Sequence, residues 1–159
     1  MTETIQRTLT LTSAAFEHDA DIPQKYSCEA DNVNPPLEFE NLHGATKALA
    51  IIVEDPDAPS GDFIHWLCWN VSPHRPIQEN SKPGVEGKNG IGKIGYTGPC
   101  PSSGKHRYVF TAYALDSKLN LKEGADKKQL LDAMQGHILA KGELMGYYQK
   151  ASTETGVEI

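Results

Sequence analysis

The stretch that decides the fold is DPDAPSGDFIHW, residues 55–66, which directly follows the apolar run ALAIIVE. That run is β-branched at its end and bounded by turn residues, so residues 47–55 are predicted to form a central strand. HWLCWNV, residues 65–71, is too short and too aromatic for an isolated helix and is predicted as a second strand that Pro73 ends. The turn between the two strands begins with two carboxylates and two prolines, which raises the question of what they do there.

Further strands are predicted on both sides of this pair. TLTLTS at 8–13 alternates like an edge strand, and PPLEFENL at 35–42 gives another short one. HRYVFTAYAL, residues 106–115, is the clearest strand of the chain. Its period of two puts five side chains on one face: His106, Tyr108, Phe110, Ala112 and Ala114. Residues 84–104 contain seven glycines, so no regular element is predicted there.

One segment has a helical pattern. Asp126 is predicted to cap KKQLLDAMQGHILAKG at 127–142, and Gly142 to end it. Its apolar stripe consists of Leu130, Leu131, Met134, His137, Ile138 and Ala140. ELMGYYQ at 143–149 is predicted as a last short strand, and 150–159 as a loose tail. The predicted fold class is mostly β, a β-sandwich with one main C-terminal helix.

Length, charge and cysteine usage limit the function classes. With 159 residues the chain is predicted to form a single domain, and its net charge of −6 with scattered Lys and Arg gives no basic stripe for nucleic acid. The N-terminus lacks a signal-peptide pattern and no window approaches 18 apolar residues, so a cytoplasmic location without stable membrane insertion is predicted. Cys28, Cys68 and Cys100 are odd in number and widely spaced, and we interpret them as reduced apolar fillers.

Polar side chains fall at strand ends that the predicted sheet brings together. If the two central strands pair antiparallel, Asp55 and His65 meet at one edge of the sheet. His106 opens its own strand directly after the glycine-rich loop, and Tyr108 shares its face. With Asp57 these groups would converge under loop N–H groups, which favour close approach of an anion because glycine lacks a Cβ. Each residue alone also fits a plain turn or a packed histidine, so only the combination favours a site.

Three matches to known sequence motifs are rejected because the residues around them do not fit the motif. GIGKIG at 90–95 matches the dinucleotide pattern, but no strand precedes it and no helix follows. The opening stretch begins like a calcium loop, yet Pro59 and Trp66 occupy ligand positions. Ser102 lacks the glycine and the strand-to-helix turn of a nucleophile elbow.

Two catalytic or metal alternatives stay open at the level of sequence. Cys100 and His106 could form a thiolate pair, although the loop between them leaves the geometry undefined. The two histidines and two aspartates could also hold zinc, but the HxxxH and HExxH spacings are missing. We predict no metal, no cofactor and no catalytic residue.

Two blocks resemble the signature of a known family. DPDAPSGDFIHW at 55–66 and GYTGPCPSSGKHRYVF at 95–110 are similar to the two signature blocks of the phosphatidylethanolamine-binding protein family, which includes the Raf kinase inhibitor proteins. LTSAAF, IPQKYSC, NPPLEF and the closing ELMGYYQ resemble its bacterial and archaeal branch, so the likeness covers about residues 8–149. It implies a large antiparallel sheet packed on a smaller one, a helix at the side, and an anion pocket at one end of the sheet.

The resemblance also implies a set of pocket residues: Asp55, Asp57, Pro59, His65, Gly98, His106 and Tyr108. Family members bind phosphate-like groups there, including the phosphoethanolamine head. By residue chemistry, the Gly98 N–H, the Tyr108 hydroxyl and either histidine, neutral or protonated, can donate to the anion. Asp55 and Asp57 are expected to orient the histidine rings and to favour their protonated, charged form. Anion binding should therefore weaken as the pH rises through the histidine pKa values.

The chain departs from the family pattern in two places. Ser102 stands where the family commonly has the second of two adjacent prolines, so the loop is expected to be less rigid or to gain a hydroxyl donor. Larger eukaryotic members carry a C-terminal helix near the pocket, and we expect a more open site here.

The sequence thus predicts a small binding module for phosphate-like or phosphorylated anionic ligands, with regulation of a protein partner such as a kinase as a further expectation. Kinase regulation does not transfer to this branch from resemblance. One alternative is a hydrolase that uses Asp and His as acid and base, or Cys100 as nucleophile. Another is an interaction protein whose pocket is vestigial. For the oligomeric state, a homodimer is a further alternative that the sequence leaves open.

Overall fold

The apolar, β-branched stretches of the sequence pair into two sheets. The computed structural model describes residues 7–150. In this range the chain forms β1 Arg7–Thr8, β2 Thr10–Thr12, β3 Ala20–Asp21, a 3₁₀ turn Gln24–Tyr26, β4 Glu38–Glu40, β5 Ala48–Asp55, β6 Phe63–Val71, β7 Val85–Glu86, β8 Lys105–Leu115, α1 Lys127–Met134 and β9 Ile138–Gln149. Of the predicted loose tail, all but residue 150 lies outside the described residues.

The large sheet has the order β1-β9-β8-β5-β6-β7, with β3 also pairing with β9. The predicted pairing of the two central strands is antiparallel and brings Asp55 opposite Phe63. β8 lies on the other side of β5, also antiparallel. The short β1 and β3 pair with β9 in parallel. A second sheet consists of β2 and β4, and the predicted fold class, a large sheet packed on a smaller one with one main helix, is confirmed.

The large sheet is buried on both faces because two apolar layers cover it. Toward the small sheet, Trp66 and Phe110 pack with Leu9 and Leu11. Toward the helix, the alternate residues of the same strands pack with Leu130 and Met134, as listed here: Ala50, Ile52, Leu67 and Trp69. A strand buried on both faces reads as a continuous apolar run, which is what the central strands show. The two layers hold the strand ends of the site in fixed positions.

The helix is shorter than predicted. Asp126 caps it as expected, accepting the Gln129 N–H at 2.8 Å while the Gln129 side chain accepts the Asp126 N–H at 2.9 Å. The helix ends at Met134, Gly136 turns the chain with a φ of 85°, and residues 138–149 form one long strand instead of a helix end and a short strand. Gly142 lies inside that strand.

The interpretation of the cysteines is wrong for two of them. Cys28 and Cys100 form a disulfide across 72 residues with a Cα–Cα distance of 5.4 Å, within the range that a disulfide requires. Only the tertiary fold brings these two loops together, so their spacing in the sequence gave no signal. Cys68 is buried and free, as a filler should be, and burial raises the pKa of its thiol to about 12.

The glycine-rich segment also departs from expectation. It contains the two-residue strand β7, which pairs with β6, and a bridge between Lys88 and Ile94. Gly84 and Gly87 flank β7, and a Cβ at Gly84 would overlap the Trp69 main chain. These glycines therefore permit close strand contact rather than prevent regular structure. Over residues 7–150 the structure has no helix with the length and apolar surface that crossing a bilayer requires.

Candidate functional site

Asp55 and His106 form the buried centre of the candidate site. Asp55 ends β5 and His106 lies one residue after the start of β8, and the antiparallel pairing of these strands brings both to one end of the large sheet. His106 Nδ1 lies 2.7 Å from Asp55 Oδ2, and the two side chains are 11% and 5% exposed. The other carboxylate oxygen of Asp55 accepts the Asp57 N–H at 2.7 Å. Asp55 therefore fixes both the turn after β5 and the His106 ring.

His65 is oriented by the main chain and not by an aspartate, contrary to the expectation. Its Nδ1 lies 2.7 Å from the Thr97 carbonyl oxygen, and the Thr97 N–H donates back to the His65 carbonyl at 2.9 Å. The ring packs against Phe63, with centroids 4.9 Å apart, and meets the Tyr108 ring edge-on at 5.2 Å. Burial lowers the pKa of His65. Burial thus disfavours the charged form of the ring, and the contact with Thr97 fixes its orientation.

Tyr108 places an unpartnered hydroxyl in the same pocket. The residue is 1% exposed, and within residues 7–150 its hydroxyl is the one fully buried side-chain polar atom without a hydrogen-bond partner. Its ring stacks on His106 at 6.3 Å between centroids. Burial, together with the negative charge of Asp55, raises the pKa of Tyr108. The hydroxyl therefore keeps its proton and is available as a donor.

The histidine hydrogen bonds correct one predicted role. Both rings use Nδ1 toward an oxygen acceptor, the Asp55 carboxylate for His106 and the Thr97 carbonyl for His65. An Nδ1 that donates leaves Nε2 as a lone-pair acceptor in the neutral ring. Either histidine can thus donate to an anion from Nε2 only when it is protonated, and the predicted donation from the neutral form is excluded by these hydrogen bonds.

Gly98 lines the pocket, but its N–H is not free for a ligand. It donates to Asn32 Oδ1 at 2.7 Å, which overturns the expected role of that N–H as an anion donor. Glycine is needed here for packing instead, since a Cβ would overlap the Tyr26 carbonyl oxygen and come within 2.7 Å of Asn32 Oδ1. Asn32, which sequence reasoning missed, therefore fixes the loop that carries Thr97.

Asp57 lies outside the pocket lining, and its carboxylate bonds to Arg107 instead of to a histidine ring. Its carboxylate accepts hydrogen bonds from the Arg107 Nε at 3.0 Å, the Arg107 Nη2 at 2.7 Å and the Arg107 N–H at 2.9 Å. These bonds lower the pKa of Asp57 to about 2. Arg107 lies on the face of β8 opposite to His106 and Tyr108, and it is exposed at the end of that strand. The pair ties the turn after β5 to the start of β8 from outside.

The pocket between these groups, here called the sheet-end pocket, has a volume of about 420 Å³. Six of the seven predicted residues line it, namely Asp55, Pro59, His65, Gly98, His106 and Tyr108, whereas Asp57 does not. Residues that were not predicted also line it: Cys28, Asn32, Ala58, Ser60, Phe63, Ile91, Thr97, Cys100, Pro101 and Ser102. Ser102 therefore stands at the pocket in place of the family's second proline. Most of the missed residues are apolar or come from loops, where no local pattern marks them.

The charges of the pocket are few. Of its lining residues Asp55 is the one acid, and neither lysine nor arginine is among them. With both histidines neutral the lining carries one negative charge, so a fully ionised anion meets a favourable field only after the rings take up protons.

A larger cavity of about 620 Å³ lies at the opposite end of β8 and β9, lined by Thr8, Tyr113, Ile138, Ala140, Lys141, Gly142 and Glu143. It lacks histidines and buried unpartnered polar atoms. We therefore locate the candidate site by its chemistry, at the sheet-end pocket, and not by cavity size.

Two structural features bear on the Cys100 nucleophile and on the metal site, the two alternatives that the sequence left open. Cys100 is bonded to Cys28, so in this state it has no thiol to act as a nucleophile. Among residues 7–150, no group of three or more His, Cys, Asp or Glu side chains is arranged to hold a metal ion.

Comparison with known proteins gives a consistent result. Residues 12–149 match the family model described as phosphatidylethanolamine-binding protein. A UPF0098 protein of Pyrococcus horikoshii is 47% identical over 149 residues, covering 87% of this chain and 75% of its own. A crystal structure of a phosphatidylethanolamine-binding protein homologue from Chlamydia trachomatis superimposes with a TM-score of 0.87 at 47% identity, covering 90% of this chain and 98% of that one. Escherichia coli YbcL has the same fold, with a TM-score of 0.83 at 23% identity over 91% of this chain and 99% of that one.

Proposed function

The chain belongs to the phosphatidylethanolamine-binding protein family, and we propose that it binds small phosphate-like anions, of the phosphoethanolamine type, in the sheet-end pocket. Regulation of a protein partner such as a kinase, and formation of a homodimer, stay predictions from the sequence.

The observation that carries the proposal is the buried hydroxyl of Tyr108. A buried hydroxyl without a partner costs about 1–3 kcal/mol, and Tyr108, which carries this one, lines the pocket together with His65 and His106. An acceptor oxygen of a ligand would satisfy it and lie within reach of both rings. The folded chain thus tolerates an unsatisfied donor at the point where an anion would use it.

The tautomers favour phosphate-like ligands over other anions. A neutral histidine offers Nε2 as an acceptor, so it can pair with the P–OH group of a singly protonated phosphate. The second pKa of a phosphomonoester is about 6, so such a ligand still carries part of its proton near neutral pH. Sulfate brings no proton and needs a protonated ring. We therefore expect phosphate-like ligands to bind better than sulfate at pH 6.5, where an appreciable fraction of a phosphomonoester is still singly protonated.

The volume of the sheet-end pocket and its apolar lining residues fit a ligand with an organic part. A pocket of about 420 Å³ exceeds what a bare phosphate ion fills, and Phe63, Pro59, Pro101 and Ile91 supply apolar surface beside the polar centre. Ile91 is 57% exposed without a ligand. A small substituted phosphate would contact the rings with its anionic end and this apolar surface with its other end.

The proposal is tested by removing the one hydroxyl. In Tyr108→Phe the ring and its packing are kept, and we expect the affinity for phosphoethanolamine to fall about tenfold, the loss of one hydrogen bond to a charged group. The unfolding free energy should stay the same or rise, because an unsatisfied buried group is removed. Isothermal titration calorimetry and urea unfolding give the two quantities.

Tyr113→Phe is the matched control, since it removes a tyrosine hydroxyl at the far end of the same strand, away from the sheet-end pocket. It should leave the affinity unchanged. An affinity that is equal in the wild type and in Tyr108→Phe would refute the proposed role of this hydroxyl.

A further inference from the structure

The disulfide lies at the mouth of the sheet-end pocket. Cys28 and Cys100 both line the pocket, and both residues are exposed. Disulfides that are open to solvent are attacked more readily by thiols than buried ones. Cys68 differs in both respects, because it is free and fully buried. The chain thus carries one accessible cystine, and it carries it at the site.

The disulfide joins two loops whose hydrogen bonds to each other lie on the N-terminal side of Cys100. On the N-terminal side of Cys100, the Cys28 N–H donates to the Pro99 carbonyl at 3.0 Å, and the Tyr96 hydroxyl donates to the Tyr26 carbonyl at 2.8 Å. These bonds keep the loop docked up to Pro99. From residue 100 to residue 104, here called the rim segment, the crosslink is the anchor that ties the chain to the opposite loop before β8 begins.

The rim segment contributes directly to the pocket. Pro101 and Ser102 are among its lining residues. Gly104 has a φ of 75°, and no atom would obstruct a Cβ there, so the segment has open space around it where it turns into β8. A segment held by one covalent link keeps its binding geometry only while that link is closed, since ordering it on binding would otherwise reduce the affinity.

We propose that Cys28–Cys100 is a thiol–disulfide exchange site whose opening releases the rim segment and lowers the affinity of the pocket for anions. The inference rests on the proposed anion-binding function. It concerns a reaction of this chain with dithiol reductants as a class.

A dithiol reduces the Cys28–Cys100 bond in two exchange steps. A thiolate of the dithiol attacks one Sγ, the S–S bond breaks, and the other cysteine leaves as a thiolate that takes up a proton. The second thiol of the reductant, as a thiolate, then attacks the mixed disulfide and releases the first cysteine, which takes up a proton in turn. The protein gains two electrons and two protons, and the dithiol is oxidised to a cyclic disulfide.

The test compares three samples: the oxidised chain, the same chain after reduction with excess dithiothreitol under native conditions, and the double variant Cys28→Ser/Cys100→Ser. Alkylation followed by unfolding and mass spectrometry counts the thiols, with Cys68 as the internal reference that is free throughout. Inorganic phosphate binding is measured by calorimetry on each. We expect roughly tenfold tighter binding to the oxidised chain, and the double variant should match the reduced chain whether or not reductant is present.

Equal affinity of the oxidised and reduced chains would overturn the inference while leaving the proposed function intact. A disulfide that native-state dithiothreitol leaves closed would overturn it as well. If no sample binds phosphate, the proposed function fails. Amide hydrogen exchange of the rim segment then decides the remaining claim: faster exchange after reduction supports release of the segment, and unchanged exchange contradicts it.

Discussion

At the scale of single residues, the site depends on which atom of each side chain is already used. Asp55 orients the His106 ring and the Thr97 carbonyl orients the His65 ring, each through Nδ1. The Tyr108 hydroxyl has no hydrogen-bond partner at normal distance. The result is three groups around one cavity, two of which become donors only when protonated. Their positions followed from the sequence, since Asp55, His65 and His106 are at or near strand ends. Their partners did not follow, because Thr97 comes from an irregular loop.

The two aspartates of the DPD turn provide a matched pair of variants. Asp55→Asn removes the buried carboxylate that orients His106, so we expect the affinity for phosphoethanolamine at pH 6 to fall at least tenfold, as for other residues that orient a binding group. Asp57→Asn removes an exposed ion pair with Arg107 and should change the affinity less than about twofold and the stability by at most about 1 kcal/mol. Calorimetry and urea unfolding measure both. Comparable losses of affinity in the two variants would contradict the separate roles.

The pH dependence of sulfate binding follows from the tautomers. Sulfate needs protonated rings, so binding takes up protons and the affinity falls as the pH rises through the histidine pKa values. Because burial lowers the pKa of His65 from its ordinary value of 6.5, this ring should contribute below pH 6.5. Calorimetry in two buffers of different ionisation enthalpy gives the number of protons taken up. A sulfate affinity that is constant between pH 5 and pH 8 would be inconsistent with this mechanism.

At the scale of elements, the strands were predictable and the helix end was not. β5, β6 and β8 carry unambiguous apolar or alternating patterns, and the predicted antiparallel pairing of β5 with β6 is the one that the structure has. Residues 135–142 fit a helical stripe as well as a strand, and the long pairing of β9 with β8 decides the outcome. No local pattern marks Cys28, Cys100 or Asn32, because their partners lie far away in the sequence.

The loop that carries Thr97 provides a prediction at this scale. Gly98→Ala introduces a Cβ that would overlap the Tyr26 carbonyl oxygen, so we expect it to destabilise the fold by about 1–3 kcal/mol and to weaken ligand binding by displacing the Thr97 carbonyl from His65. Gly44→Ala is the control, since no atom lies within 4 Å of its added Cβ and its φ is not positive. It should be neutral in urea unfolding and in binding. Equal behaviour of the two variants would show that Gly98 is not required for packing.

At the scale of the whole molecule, a two-sheet core carries the sheet-end pocket, and a disulfide joins two loops at the rim of that pocket. Disulfides are rare in reducing compartments, so the predicted cytoplasmic location and the closed Cys28–Cys100 bond are in tension. The proposed exchange site resolves that tension, because the compartment would then set the state of the pocket. The net charge of −6 opposes anionic ligands at long range, which makes the local protonation of the histidines decisive for binding.

The central claim is that an anion binds between His65, His106 and Tyr108 and draws protons onto the rings. It is tested most directly by following the ¹⁵N signals of the histidine rings across pH with and without phosphoethanolamine. His74 is exposed and lies beyond the far end of β6, so it serves as the internal reference. The account predicts saturable shifts at Nε2 of His65 and His106 and a higher midpoint for the protonation of at least one of these rings when ligand is present. Rings whose signals and midpoints are the same with and without millimolar ligand would contradict it.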